Sequence, residues 1–446
     1  MEVYIQIIAS IILITFVIVF LLFAYTFIKE NEKRAALISA LSASFLFFIL
    51  LLTFLFSANN IIYILTISIS FIVFVIFIIP LKNKIKVKPG IVKTQFDERD
   101  IMFSRNELIK GTQRFEEYYK NNPDKKILDD KFREKLGLLS KGTTEYHKFK
   151  FASSDANFDT VNCFIPIVDN EKLKETQNID TQELTGYIKK WIKQIGAINI
   201  GITELKPHHL YNIKGRGDKY GKAIINNHKY AIAFVVEMDK NMIDTAPKAE
   251  TIMESSQQYL ESAKIATQLT QFIRNLGYSA KPHFDGNYDL ICPVVAKDAG
   301  LGEFGRMGLL MTPELGPRVR IAVVTTDIPL IINKYKYESS IVDFCTICKK
   351  CADNCPTNAI SFDKMKDEEG VIRWKINHEA CFTYWAITGT DCGKCIQVCP
   401  FSHPNNIMHN FIRAGIKNSY VFGKVALKMD DLFYGRKPKA KTNKLL

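Results

Sequence analysis

The chain has 446 residues, of which 47% are hydrophobic and 24% charged, with 23 Gly and 15 Pro. That is enough for about three domains of ~150 residues, and it excludes collagen-like, mostly disordered and disulfide-stapled miniature proteins. The net charge is +13, and all ten cysteines fall after residue 160, eight of them in two tight arrays whose spacing suits metal.

Residues 1–81 contain three apolar runs, 3–28, 35–56 and 61–81. Each is long enough, at 1.5 Å per residue, to cross a hydrocarbon layer of ~30 Å as a helix. A three-helix transmembrane segment is therefore expected. A cleavable signal peptide is not, because the chain opens Met1-Glu2-Val3 with no basic start, repeats the apolar run three times and shows no twin-arginine pair. Lys29, Lys33 and Arg34 lie in the first loop, and Lys82, Lys84, Lys86 and Lys88 open a basic linker, 82–96. These two positions share one side of the membrane. The other side carries only Glu2 and the loop Ser57-Ala58-Asn59-Asn60, so the basic bias places the large C-terminal part in the cytoplasm, a reducing compartment where thiolates are available for metal.

After the linker, 97–150 reads as a helical extension with a turn at Asn121-Asn122-Pro123. An α+β core follows over 151–340. Runs 230–237, 289–295 and 320–325 are strand-like, and a long helix spans about 249–275 between Pro247 and Gly277. A basic C-terminal tail, 406–446, closes the chain; from Phe411 onward it carries nine Lys or Arg against two Asp. With no aromatic interleaved after Tyr434 it does not read as a nucleic-acid surface. Contact with an anionic leaflet and a plain solvated tail both remain open.

Between them, 341–405 holds the arrays. Cys345, Cys348, Cys351 and Cys355-Pro356 repeat the spacing of a bacterial two-cluster ferredoxin, and Cys381, Cys392, Cys395 and Cys399-Pro400 echo it with the first ligand displaced upstream. In that plan the fourth cysteines cross over. Cys345, Cys348, Cys351 and Cys399 would hold one [4Fe–4S] cluster, and Cys355, Cys381, Cys392 and Cys395 the other. Zinc sites are usually two Cys-x2-Cys pairs without the x3-Cys-Pro ending, so electron transfer is the expected work. Gly300-Leu301-Gly302-Glu303-Phe304-Gly305 matches a dinucleotide fingerprint, but Pro313 and Pro317 follow too soon for the required helix. The glycines suit the close approach of another flat cofactor equally well.

Several stretches carry a family resemblance: Arg99-Asp100-Ile101-Met102-Phe103-Ser104-Arg105, Phe272-Ile273-Arg274-Asn275-Leu276-Gly277-Tyr278, Ala299-Gly300-Leu301-Gly302-Glu303-Phe304-Gly305-Arg306-Met307-Gly308-Leu309-Leu310, Gly316-Pro317-Arg318-Val319-Arg320, Thr326-Asp327-Ile328-Pro329-Leu330 and the first array. In combination, over roughly 97–435, the chain resembles the cobalamin-dependent reductive dehalogenases. The resemblance implies a nitroreductase-like core holding a base-off corrinoid beside a two-cluster ferredoxin domain, with reduced cobalt removing halide from an organic substrate. It puts a catalytic tyrosine at Tyr259 and its arginine partner at Arg320, with Arg318 and Arg306 as rivals. Cofactor contacts would fall at Gly300, Gly302, Gly305, Arg306 and His208, and a third pocket residue at His283, Asp285 or Asn287.

Ile252, Tyr259, Ala266 and Ile273 recur every seven residues, which puts Tyr259 on a buried stripe and makes core packing its competing reading. As a catalytic group its hydroxyl would donate a proton, with the arginine lowering its pKa. His208-His209, being adjacent, are expected to point apart and touch solvent or a cofactor tail. Cys163 and Cys292 read as small core residues. Expected partners are a small organohalide, a membrane and a low-potential electron donor, with no nucleic acid. Exported members carry a twin-arginine signal and use a separate anchor protein, so the membrane helices here are a departure. Two other readings are an epoxyqueuosine-reductase-like cobalamin enzyme, which needs no membrane helices, and a non-enzymatic membrane electron-transfer subunit, which leaves 151–340 without a role.

Overall fold

In the computed structural model, residues 2–55, 60–78, 95–169, 174–368 and 371–443 are described. Lys82, Lys84, Lys86, Lys88 and most of the Ser57-Ala58-Asn59-Asn60 loop lie outside them. The chain divides into two compact units, Met1–Lys86 with Asn405–Pro438, and Val87–Pro404 with Lys439–Leu446.

The first unit begins with helices α1 (Glu2–Lys29), α2 (Lys33–Leu55) and α3 (Asn60–Ile78). Asn31, in the left-handed region at φ 56°, closes the tight turn between the first two. Among the described residues α1 and α2 are long and apolar enough to cross a membrane, whereas the apolar stretch of α3, Tyr63–Ile72, is shorter. Packing does not account for their composition: Ile11, Leu22 and Phe45 are each more than half exposed.

The second unit is built on β1 (Asn199–Glu204), β2 (Tyr230–Glu237), α4 (Ala249–Asn275), β3 (Ala280–His283), α5 (Cys292–Asp298), the short hairpin β4 (Glu303–Phe304) and β5 (Leu310–Met311), and β6 (Val319–Thr326). The main sheet is antiparallel in the order β1-β2-β6-β3, with Ile232 opposite Val324 and Val236 opposite Arg320. Both faces are covered, which is why β2 is apolar at nearly every position. Ile232, Phe234 and Val236 pack with Ile265, Leu269 and Ile273 of α4; Ala231, Ala233 and Val235 pack with Val295 and Ala296 of α5. The long helix and the strands at 230–237 and 320–325 thus fall where the sequence puts them. The run 289–295 does not form a strand. Pro293 sits in the first turn of α5, where its missing N–H costs nothing, whereas it would break a sheet ladder.

The extension before the core is helical, Gln113–Asn121 and Pro123–Arg133 meeting at Asn122. Its buried Arg105 pairs with Asp129 at 3.0 Å and with Glu379 at 2.7 Å, tying it to the helix His378–Thr388 that carries Cys381.

The segment read as a basic tail is mostly structured. It forms α6 (Ile407–Asn418) and α7 (Tyr420–Phe433) in the first unit, because apolar residues at helical spacing alternate with the charges that dominate its composition. Lys441 belongs to the second unit and pairs with Asp244 at 2.9 Å.

Candidate functional site

The helix Ser339–Cys348 delivers Cys345 and Cys348 and stops at Lys349, whose left-handed backbone (φ 55°) turns the chain back toward Cys351. Cys345, Cys348, Cys351 and Cys399 line one small cavity together with Met307, Phe344 and Phe401. Cys381, Cys392, Cys395 and Cys355 form a second neighbourhood. Burial, followed by the pull of Cys392, Cys381, Cys351 and Cys355, drives the Cys395 thiol well above the ordinary range, and Cys355 Sγ accepts the Ala359 N–H at 3.2 Å. Burial first of all pushes Cys351 and Cys392 up to about 12 and Cys381 to about 11. Burial likewise raises Cys345 and Cys399, so six of the eight array thiols would not ionise unaided. A cationic metal cluster is what makes such thiolates stable, so the donor set fits iron–sulfur. All ten cysteines are free; Cys163 is exposed rather than in the core, because it caps the end of a surface helix.

Tyr259 on α4 and Arg320 on β6 meet directly. The Arg320 guanidinium lies over the Tyr259 ring, 4.7 Å from its centroid. Arg320 Nη2 donates to Asp391 Oδ2 at 2.9 Å and to Ser255 Oγ at 2.6 Å, and the Ser255 hydroxyl donates to the same carboxylate. Ser255 stands one turn before Tyr259 on α4, so the two share a face. Ile252, Ala266 and Ile273 are fully buried, but Tyr259 is only half-buried and touches Phe158 at a ring separation of 6.3 Å. Here the stripe leaves the core.

Burial pushes the Tyr259 hydroxyl up to about 12, with Arg320 the main opposing influence. The net effect is the reverse of the lowering expected from the arginine alone. Desolvation outweighs one cation, and the phenol keeps its proton at neutral pH. Burial works against the Arg320 charge too, yet Tyr259, Asp391 and Asp285 hold its pKa above the usual arginine range. Asp391 and Ser255 escape a reading of the sequence alone; the available signal was an acidic residue immediately before the ligand-spaced Cys392.

Other expected residues are redistributed. His283 is fully buried, 3.0 Å from Thr325 Oγ1, and accepts the Asp289 N–H at 3.2 Å, so it is a sheet residue and not a pocket wall. Asp285 is coupled to both Arg216 and Arg320, with burial raising its carboxyl pKa, and the buried Asn287 amide nitrogen has no hydrogen-bond partner. Arg306 donates to the carbonyls of Cys345 at 3.1 Å, Ser361 at 2.7 Å and Asp363 at 2.9 Å. Its fork is occupied by the first cysteine loop, so it is not a free cofactor contact. Arg318 is engaged by Glu237 at 2.7 Å and by the Ser402 carbonyl at 3.0 Å, which leaves Arg320 alone of the three beside Tyr259.

A Cβ on Gly302 would meet the Met311 carbonyl at 2.2 Å, and one on Gly305 would meet Met311 Cγ at 2.8 Å. These two glycines serve the β4–β5 hairpin, and only Gly300, at φ +83°, faces open space. His208 and His209 do not point apart. The tight turn Pro207–His209 brings their Nε2 atoms to 3.3 and 3.1 Å from one oxygen, Asp298 Oδ2. His209 Nδ1 accepts the Lys206 N–H at 3.1 Å, which leaves the proton on Nε2 facing Asp298. This tautomer builds a hydrogen-bonded clamp rather than a metal site.

A family model for the 4Fe-4S dicluster domain matches residues 344–403. The chain is 30% identical over 294 residues to a tetrachloroethene reductive dehalogenase of Sulfurospirillum multivorans, covering 58% of each chain. It is 35% identical over 216 residues to one of Desulfitobacterium hafniense, covering 46% of this chain and 38% of that relative. The matched stretches thus span 58% and 38% of these two relatives' own length. A solved catabolic reductive dehalogenase in complex with 3-bromo-4-hydroxybenzoic acid shares the fold, with TM-score 0.63 and 23% identity over 81% of this chain and 50% of that one. A tyrosine–arginine pair on a packed sheet thus lies in one unit with a segment that matches the 4Fe-4S dicluster domain. Over the matched stretches the chain is similar to the tetrachloroethene reductive dehalogenases.

Proposed function

We propose that this chain is a membrane-anchored corrinoid reductive dehalogenase. Cys345, Cys348, Cys351 and Cys399 would hold one [4Fe–4S] cluster and Cys355, Cys381, Cys392 and Cys395 a second, fed by a low-potential donor. The observation that carries the reading is the Arg320 guanidinium stacked on a protonated Tyr259. Replacing halogen by hydrogen takes two electrons and one proton and releases halide. Tyr259 holds that proton at its phenol oxygen, and Arg320 stands where negative charge develops as the proton leaves.

A corrinoid held here would supply low-valent cobalt as the two-electron reductant of the carbon–halogen bond. Its fit is supported by buried donors left without partners, namely Arg320 Nε, Arg216 Nη2 and the Asn287 amide. Asp285 is the residue of its trio coupled to Tyr259 and Arg320. Gly300 and the His208 clamp are the remaining candidates for cofactor contact, and the 151–340 core would be nitroreductase-like. Tetrachloroethene and a bromophenol acid, the compounds named for the relatives, set the range of substrates to try.

The exposed apolar surface of α1 and α2 supports anchoring, and the basic residues at the α1–α2 turn support a cytoplasmic catalytic part. An active periplasmic reporter fused after Lys88 would overturn that orientation. For the activity, the anaerobically purified chain should carry about eight irons and one cobalt and release halide from a haloarene or chloroethene panel under a chemical reductant. Iron without cobalt, and no halide released, would leave an electron-transfer subunit instead.

A further inference from the structure

Among the described residues, helices α6 and α7 each carry a stripe of exposed apolar side chains. On α6, His409 and Ile416 are buried, while Ile407 is 91% and Phe411 55% exposed; with exposed Ala414 these fall at i, i+4 and i+7. The pattern recurs on α7. Ala426, Leu427 and Phe433 turn inward, and Val425, Met429 and Leu432 stay exposed at the same spacing. Beside the stripes run Arg413 and Lys417 on α6 and the exposed Lys424 and Lys428 on α7.

Where this hairpin is held decides what the stripes meet. Asn406 Nδ2 donates to Glu30 Oε1 at 2.6 Å, and His409 Nε2 lies 3.2 Å from Glu30 Oε2. Arg34 Nε donates to the Leu432 carbonyl at 3.0 Å, and the rings of Phe433 and Tyr434 each sit 5.7 Å from Phe27. All of these anchor points are at the α1–α2 turn, the end of the bundle that carries Lys29, Lys33 and Arg34. Phe27 lies two residues, about 3 Å, inside the end of α1. A helix pair fixed there lies at headgroup depth if α1 spans a bilayer. Apolar stripes rimmed by lysine suit that layer, with carbon chains below and phosphates alongside.

We propose that the exposed face of α6 and α7 is embedded in the headgroup layer and binds anionic lipid. The inference rests on the membrane-anchored reading, and its test separates the two. The full chain is placed in nanodiscs of phosphatidylcholine, with or without phosphatidylglycerol, containing lipid brominated near the top of the acyl chains. Tryptophan is introduced as Phe411→Trp or Met429→Trp, with Ile14→Trp on α1 as the spanning control against deeper bromines, each read as the difference from the unsubstituted chain.

Both hairpin probes should be quenched at least two-fold in anionic discs, and adding Lys424→Glu and Lys428→Glu to Met429→Trp should remove the preference for phosphatidylglycerol. Quenching of Ile14→Trp without either hairpin probe overturns the lipid face alone. No quenching at Ile14→Trp overturns the spanning reading, and the lipid face with it. Hairpin probes shielded from acrylamide but not quenched by lipid would assign the face to a protein and equally overturn the proposal.

Discussion

Tyr259→Phe separates the proton from everything else the tyrosine does. The ring that Arg320 covers at 4.7 Å and that meets Phe158 stays in place, so folding stability should change by no more than about 1 kcal/mol, the scale of one hydrogen bond. On the proposed mechanism, the reaction loses the group that holds the transferred proton. Losing a general acid typically slows a reaction by roughly 10² to 10⁴, or about 3 to 5 kcal/mol of barrier at 1.36 kcal/mol per decade. Because burial raises the hydroxyl to about 12, the wild-type donor is fully protonated from pH 6 to 9, and the deficit should be constant across that range. The assay is anaerobic halide release under a chemical reductant, with iron and cobalt counted in both proteins. Equal turnover at equal metal content would show that Tyr259 is a packing residue and that the proton comes from elsewhere.

Arg320→Lys keeps the charge but loses the planar guanidinium that lies over the Tyr259 ring; turnover should fall ten-fold or more, with cluster absorbance unchanged. Under the crossed assignment, Cys399→Ser and Cys355→Ser should each remove about four irons, from different clusters, and electron paramagnetic resonance of the two variants should show complementary losses. Burial holds His283 at about 3 in the folded chain, below its ordinary value near 6.5. The unfolded chain therefore takes up a proton as pH falls through 6.5 while the folded one does not, and stability is lost on acidification. His283→Gln should flatten that loss by about 1.4 kcal/mol per pH unit between pH 6 and 4 in denaturation profiles; an unchanged slope would show that His283 is not buried neutral.

Local signals were legible wherever one physical cause dominates. The helix Ala249–Asn275 could be bounded from the sequence because Pro247, Gly277 and a sustained helical period agree, and β2 because both of its faces are covered and nearly every residue is apolar. Cysteine spacing likewise reports directly on loop geometry. What could not be read depends on tertiary placement. Branched residues at 289–295 suggest a strand, but Pro293 and packing onto the sheet favour α5. Counting charge in 406–446 hid the apolar half of α6 and α7. Arg306, Arg318 and Arg320 look alike in the sequence, and only the folded chain shows which carbonyls occupy the first two. His283 and Asp285 are two residues apart, yet one belongs to the β3–β6 pairing and the other is coupled to Arg216 and Arg320.

Asp391 has one further consequence. It precedes Cys392 in the chain and grips the arginine stacked on Tyr259. On the proposed ligand set, whatever fixes the Cys392 thiolate also fixes that carboxylate, with no intervening hinge. Cys392→Ser should therefore loosen the hold of Asp391 on Arg320 as well as remove a cluster ligand, so a defect in that variant would not be one of electron supply alone.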